Sequence, residues 1–113
     1  MPIKRTLILA AAASLGLGSA EAQTYTAAGA GNDSCGTWSA DRRVPYAPPA
    51  LQDTQWILGF LSGVGFMAKV AGIDPLHGVD SQAVLAWIDN YCRDNPLSSI
   101  ADAGAAFKYA HPR

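Results

Sequence analysis

The sequence predicts an all-α domain of four helices, compact and stapled by one disulfide. Three observations carry that expectation. About twenty residues in the middle of the chain place apolar side chains at steps of three and four, residues suited to open and close helices punctuate the rest, and no segment alternates with period two.

The first residues read as an export signal rather than as part of the fold. Lys4 and Arg5 precede an uncharged stretch over residues 6–17, rich in Ala and Leu, and small residues follow. That order is the order of a secretory signal peptide, with Ala20-Glu21-Ala22 as an A-x-A site cut after Ala22 or, second best, after Ala20. The apolar run is about a dozen residues, short of the roughly 18 to 20 that cross a bilayer, and no lipobox cysteine follows it. The expected organisation is a signal peptide over residues 1–22, a flexible leader over residues 23–32 and a single helical domain over residues 33–113.

The leader is small and polar without periodicity, so no fixed structure is expected there. Asp33 or Ser34 then caps a short helix in which Cys35 and Trp38, three apart, share a face, with Arg42 and Arg43 near its end where cations suit the helix dipole. Pro45, Pro48 and Pro49 make the following segment a stiff connector. The longest helix is expected from about Leu51, or from near Asp53, to Ala71, stopped by Gly72. Trp56, Phe60, Gly63, Val64, Met67 and Ala71 form one row along it, and Ile57, Leu61 and Ala68 a second. Two rows predict a central helix buried over most of its circumference, with Gly59 and Gly63 admitting another helix at close range.

Residues 73–79 read as a loop containing Pro75 and Gly78. Asp80 caps a third helix through Val84, Leu85, Ile88, Tyr91 and Cys92, which Pro96 ends. Ser98 or Ser99 opens the fourth, where Ile100, Ala103, Gly104 and Phe107 share a face, Asp102 lies early and Lys108 late; the last residues are expected to fray. Cys35 and Cys92 are the only two cysteines, and in an exported chain they are expected to pair. The staple joins the first helix to the third, with the long helix packed between them. It closes a loop of about 58 residues, for which chain entropy assigns on the order of 4 kcal/mol.

Charge excludes several function classes. The precursor has 8 basic and 9 acidic side chains; removing Lys4, Arg5 and Glu21 leaves six and eight, a formal charge of −2, with every remaining acid an Asp. So weak a balance offers no basic face for nucleic acid and no polybasic patch for anionic lipid. The signals of catalysis are equally thin. Asp74, His77 and Asp80 are the densest cluster of metal-ligating or acid/base groups, but Asp80 is needed as a cap and His77 sits in a turn. Asp89 reads as part of a solvated helix face. With both cysteines in a disulfide no thiol nucleophile remains, and no serine lies in a Gly-x-Ser-x-Gly elbow. No catalytic residue, metal or cofactor is expected, which leaves binding. Tyr46 among the prolines, with Leu76 and His77 in the later loop, are the candidate partner-binding residues, since recognition groups concentrate on irregular segments. The competing reading of Tyr46 is that it folds onto the core.

Three segments carry a resemblance: Ser34-Cys35-Gly36-Thr37-Trp38, then Trp56-Ile57-Leu58-Gly59-Phe60-Leu61-Ser62-Gly63, then Ala86-Trp87-Ile88-Asp89-Asn90-Tyr91-Cys92-Arg93-Asp94-Asn95-Pro96. Together they resemble the Rap/Tai-type immunity proteins of type VI secretion and are also similar to the HdeA/HdeB periplasmic chaperones. The first likeness implies a non-enzymatic periplasmic protein that binds and neutralises a secreted toxin. The second implies a dimer that loosens in acid and shields unfolded clients, although the lysine-rich termini of those chaperones are missing. A small hydrolase or metal protein built on Asp74, His77 and Asp80 is the third alternative. A homodimer through the Gly59 and Gly63 face is compatible with the pattern.

Overall fold

The computed structural model describes residues 25–113, so the expected signal peptide and its cleavage site lie outside the described residues. After a 3-10 turn at Gly29–Asn32 come α1 (Cys35–Asp41), α2 (Pro48–Ala68), a 3-10 turn at Lys69–Ala71, α3 (Ser81–Asp94) and α4 (Ile100–Ala110). The domain is all-α, with four helices and no strand among the described residues.

Short polar side chains start three of these helices by accepting from amides that have no carbonyl partner. Ser34 Oγ accepts from the Thr37 amide at 3.1 Å, and an Asp80 carboxylate oxygen from Ala83 at 2.9 Å. Ser99 and Asp102 form a reciprocal capping box, each accepting from the other's backbone N–H. The long helix starts differently. Expected at about Leu51, it starts at Pro48, because Pro48 and Pro49 occupy the first helical positions, where no N–H is required. The prolines that stiffen the connector therefore also open the helix. Gly72, at φ 75°, closes the 3-10 turn that follows α2.

Cys35 and Cys92 are joined, tying α1 to α3 with their Cα atoms 4.7 Å apart. A second tie is made of backbone: Cys35 donates to the Ser98 carbonyl at 2.7 Å, Gly36 to Pro96 at 3.0 Å and Ile100 to Asp33 at 2.9 Å. The start of α1 is thus fixed to the start of α4 as well as to α3. Around these ties Trp38, Ile57, Leu61, Val84, Leu85, Ile88, Ile100, Ala103 and Phe107 form the core. Each large side chain buried there contributes about 1.5 to 3 kcal/mol.

The long helix does not lie between α1 and α3. Its principal neighbours are α4 and the Gly29–Asn32 turn, while α3 packs on α1 and α4. Nor is it buried over most of its circumference. Ala50, Asp53, Thr54, Ile57 and Leu61 form its buried row, so the core uses the row of Ile57 and Leu61. The Gly63 and Met67 row faces outward, and a Cβ added at Gly59 or Gly63 would meet nothing within 4 Å. Close helix packing within the chain is therefore not the role of these glycines.

Both ends of the domain are docked. The described part of the expected leader is held by Trp56, whose Nε1 donates to the Ala28 carbonyl at 2.7 Å and whose ring covers Gly31. At the other end His111 stacks on Phe107 with centroids 4.5 Å apart, and the Asp74 amide donates to the Pro112 carbonyl at 2.7 Å. Aromatic contacts and backbone pairing thus hold segments that composition alone assigns to leader and fraying terminus.

Candidate functional site

The residues singled out in the sequence occupy two separate places. Tyr46 is 88% exposed, so it does not fold onto the core. It lines a cleft of about 420 Å³ with Arg42, Pro45, Leu51, Thr54, Gln55, Ser81 and Gln82. Leu76 is half-buried against the core, and His77 is exposed. His77 lines a second cleft of about 340 Å³, with Gly65, Lys69, Asp74 and Arg113. The first cleft reaches along α2 as far as Leu58 and the second begins at Gly65, seven residues or about 10 Å further on, so Tyr46 and His77 line separate clefts.

Asp74, His77 and Asp80 do not converge either. His77 Nδ1 lies 3.9 Å from Asp74 Oδ2, whereas the Asp80 carboxylate is committed to the first turn of α3. No cluster of three metal-ligating side chains occurs among the described residues.

The outer face of α2 forms a larger feature. Phe60 stacks on Trp56 with centroids 5.3 Å apart and is wedged against α4, where a Cβ on Gly104 would stand 2.9 Å from its ring. Beside this fixed ring, Gly59, Gly63, Val64 and Met67 complete a shallow groove of about 410 Å³. Phe60 and Val64 are shared with a neighbouring groove lined by Tyr25, Ala105, Lys108 and Tyr109. Phe66, Met67 and Val70 are 68, 78 and 96% exposed, an unusual state for side chains of this size. The missing side chains at Gly59 and Gly63 set the floor of the groove and the aromatic rings set one wall. Sequence reading placed this row inside. The available signal was the width of the apolar arc, too great for one core-facing stripe.

Two polar arrangements, one partly and one fully buried, were also missed. Asp89, expected to be solvated, accepts from Trp38 Nε1 at 2.8 Å and takes Arg42 in a two-pronged ion pair, Nε to Oδ1 and Nη2 to Oδ2, both at 2.9 Å. That hydrogen bond, more than burial opposes it, raises the Arg42 guanidinium above its ordinary pKa. Asp53 is 2% exposed, and its Oδ2 has no hydrogen-bond partner. Burial first, then a hydrogen bond and charge from Asp41 and the charge of Asp33, push its pKa up to about 7. Its place in the row Ala50, Asp53, Ile57, Leu61 was the signal that it points inward.

No protein-family model matches the chain, and neither a curated protein nor a solved structure matches it. No helix among the described residues is long and apolar enough to cross a membrane.

Proposed function

We propose that the protein is a non-enzymatic, periplasmic protein-binding module of the immunity type, which neutralises a secreted toxin by covering it with the outer face of α2. The observation that carries this reading is the groove of Gly59, Phe60, Gly63, Val64 and Met67, bordered by exposed Phe66 and Val70. A fixed aromatic wall beside a glycine floor suits an inserted apolar side chain, and aromatic anchors concentrate binding energy at protein interfaces. The disulfide fits an oxidising compartment, and the resemblance to Rap/Tai-type proteins supplies the class of partner.

The occupant is a folded toxin, so the test first asks whether a secreted effector is encoded beside this protein and takes that effector as the probe. The mature chain should form a stable complex with that effector and abolish its activity, and Gly63→Arg should weaken the complex at least roughly tenfold while leaving helicity intact. Unchanged affinity in Gly63→Arg would remove the groove from the proposal. Failure of the wild type to bind would remove the immunity role. The HdeA/HdeB-like alternative needs a fold that loosens in acid, which unfolding and dye binding followed from about pH 7 down to about pH 2 would reveal. The hydrolase or metal alternative loses Asp80, whose carboxylate serves as a cap.

A further inference from the structure

Folding gathers three of the six basic side chains that remain beyond the expected signal peptide. Ser39 is in the last turn of α1, with Arg42 and Arg43 just past its end, and Asp89 and Arg93 are four residues apart on α3. Cys35 lies four residues before Ser39 and Cys92 directly before Arg93, so the disulfide brings the two sets together. Ser39, Arg42, Arg43, Asp89 and Arg93 line one open cleft of about 270 Å³.

Asp89 is the one acid lining this cleft, and its carboxylate is already engaged by Trp38 Nε1 and by Arg42 Nε and Nη2. Arg42 is thereby held in place by two of its five N–H groups, and three remain to donate. Arg43 forms no ion pair with a described residue. Arg93 Nε is 3.7 Å from Asp94 Oδ1, but both side chains are exposed, and such a contact contributes little.

Asp89 cancels one of the three guanidinium charges, so two positive charges are left over. That surplus matches a phosphate monoester, which carries close to two negative charges near neutral pH, whereas a carboxylate would answer only one. Guanidinium forks also suit phosphate oxygens in pairs. The cleft has room for one such group and no track for successive phosphates of a nucleic acid. Lys69 and Lys108, the remaining cations of α2 and α4, lie over Phe66 and Tyr109 and do not line it.

We propose that the cleft of Ser39, Arg42, Arg43 and Arg93 binds a phosphate monoester dianion. Arg42, oriented by Asp89, is the fixed anchor; Arg43 and Arg93 are the exposed arms that complete the charge, and Ser39 adds a hydroxyl donor. The site is separate from the outer face of α2 and does not depend on a toxin partner.

The test is titration of the disulfide-bonded mature chain with glycerol phosphate, with inorganic phosphate and with phosphatidylcholine vesicles carrying phosphatidate, at an ionic strength fixed with sodium chloride. The arginine Nε–H resonances report the site. Glycerol phosphate should shift those of Arg42, Arg43 and Arg93 but not of Arg113, and saturate with a Kd on the order of 1 mM or below. Arg43→Gln and Arg93→Gln should each raise that Kd at least roughly threefold, and the double change should abolish saturation with helicity intact. Arg93→Lys keeps the charge without the fork and should recover only part of the loss. Arg113→Gln, in the cleft of His77, should change nothing. Binding of the soluble phosphates supports a free ligand; binding of the phosphatidate vesicles alone, lost in the double variant, assigns the same site to a lipid headgroup. Equal shifts with sodium chloride, saturation that survives the double change, or an equal loss in Arg113→Gln overturns the proposal. It is also overturned if duplex DNA binds through these arginines while glycerol phosphate does not.

Discussion

Trp56 lies over Gly31 so closely that a methyl group at residue 31 would overlap the six-membered portion of the indole. The same ring donates its N–H to Ala28 and stacks on Phe60, so one side chain secures the N-terminal turn and one wall of the apolar groove.

Gly31→Ala should therefore lower stability by about 1 to 3 kcal/mol, the ordinary cost of forcing an added group into a filled site. Denaturant unfolding measures it. Gly59→Ala is the comparison, because the site is open and lies inside a helix. There the gain in helix propensity should raise stability by about 0.5 to 1 kcal/mol. If the two changes have equal effects, the contact between Trp56 and the turn contributes nothing.

Asp89 should be more important to the fold than its partial exposure suggests. Trp38 is fully buried, and its indole N–H reaches Asp89; Asp89→Ala leaves that donor without a partner, a cost of about 1 to 3 kcal/mol. Asp89→Asn keeps one acceptor for Trp38 but loses the charge and the acceptor that takes Arg42 Nη2, and since that pair is partly exposed it should still be the milder change. Equilibrium unfolding of both variants gives the comparison; a larger loss in Asp89→Asn would place the stabilisation in the ion pair instead.

Replacing Cys35 and Cys92 together by Ser should cost on the order of 4 kcal/mol, because the bridge spans a sequence separation of 57 and restricts the unfolded chain. Denaturation midpoints with and without reductant check this. The backbone bonds from Cys35, Gly36 and Ile100 predict that native helicity persists after reduction in the absence of denaturant. Loss of helicity under those conditions would show that the start of α1 depends on the disulfide alone.

By itself the sequence determined the helical class, the cap at Asp80, caps at one of two adjacent residues (Asp33 or Ser34, Ser98 or Ser99), the stop at Gly72 and the pairing of Cys35 with Cys92. These features depend on neighbours a few residues away, or on there being only two thiols to join. The tertiary structure decided which row of α2 is buried. Ile57 and Leu61 alternate with Gly59, Gly63 and Met67 along one helix, and periodicity shows two apolar rows without saying which one meets α4. It also decided the partners of Trp56 and Asp89 and the burial of Asp53, since these follow from segments that only folding brings together. The candidate groove was legible as composition and hidden as geometry: its glycines and aromatic rings were visible in the sequence, but their exposure follows from the rotation of α2 against α4, which no local interaction fixes.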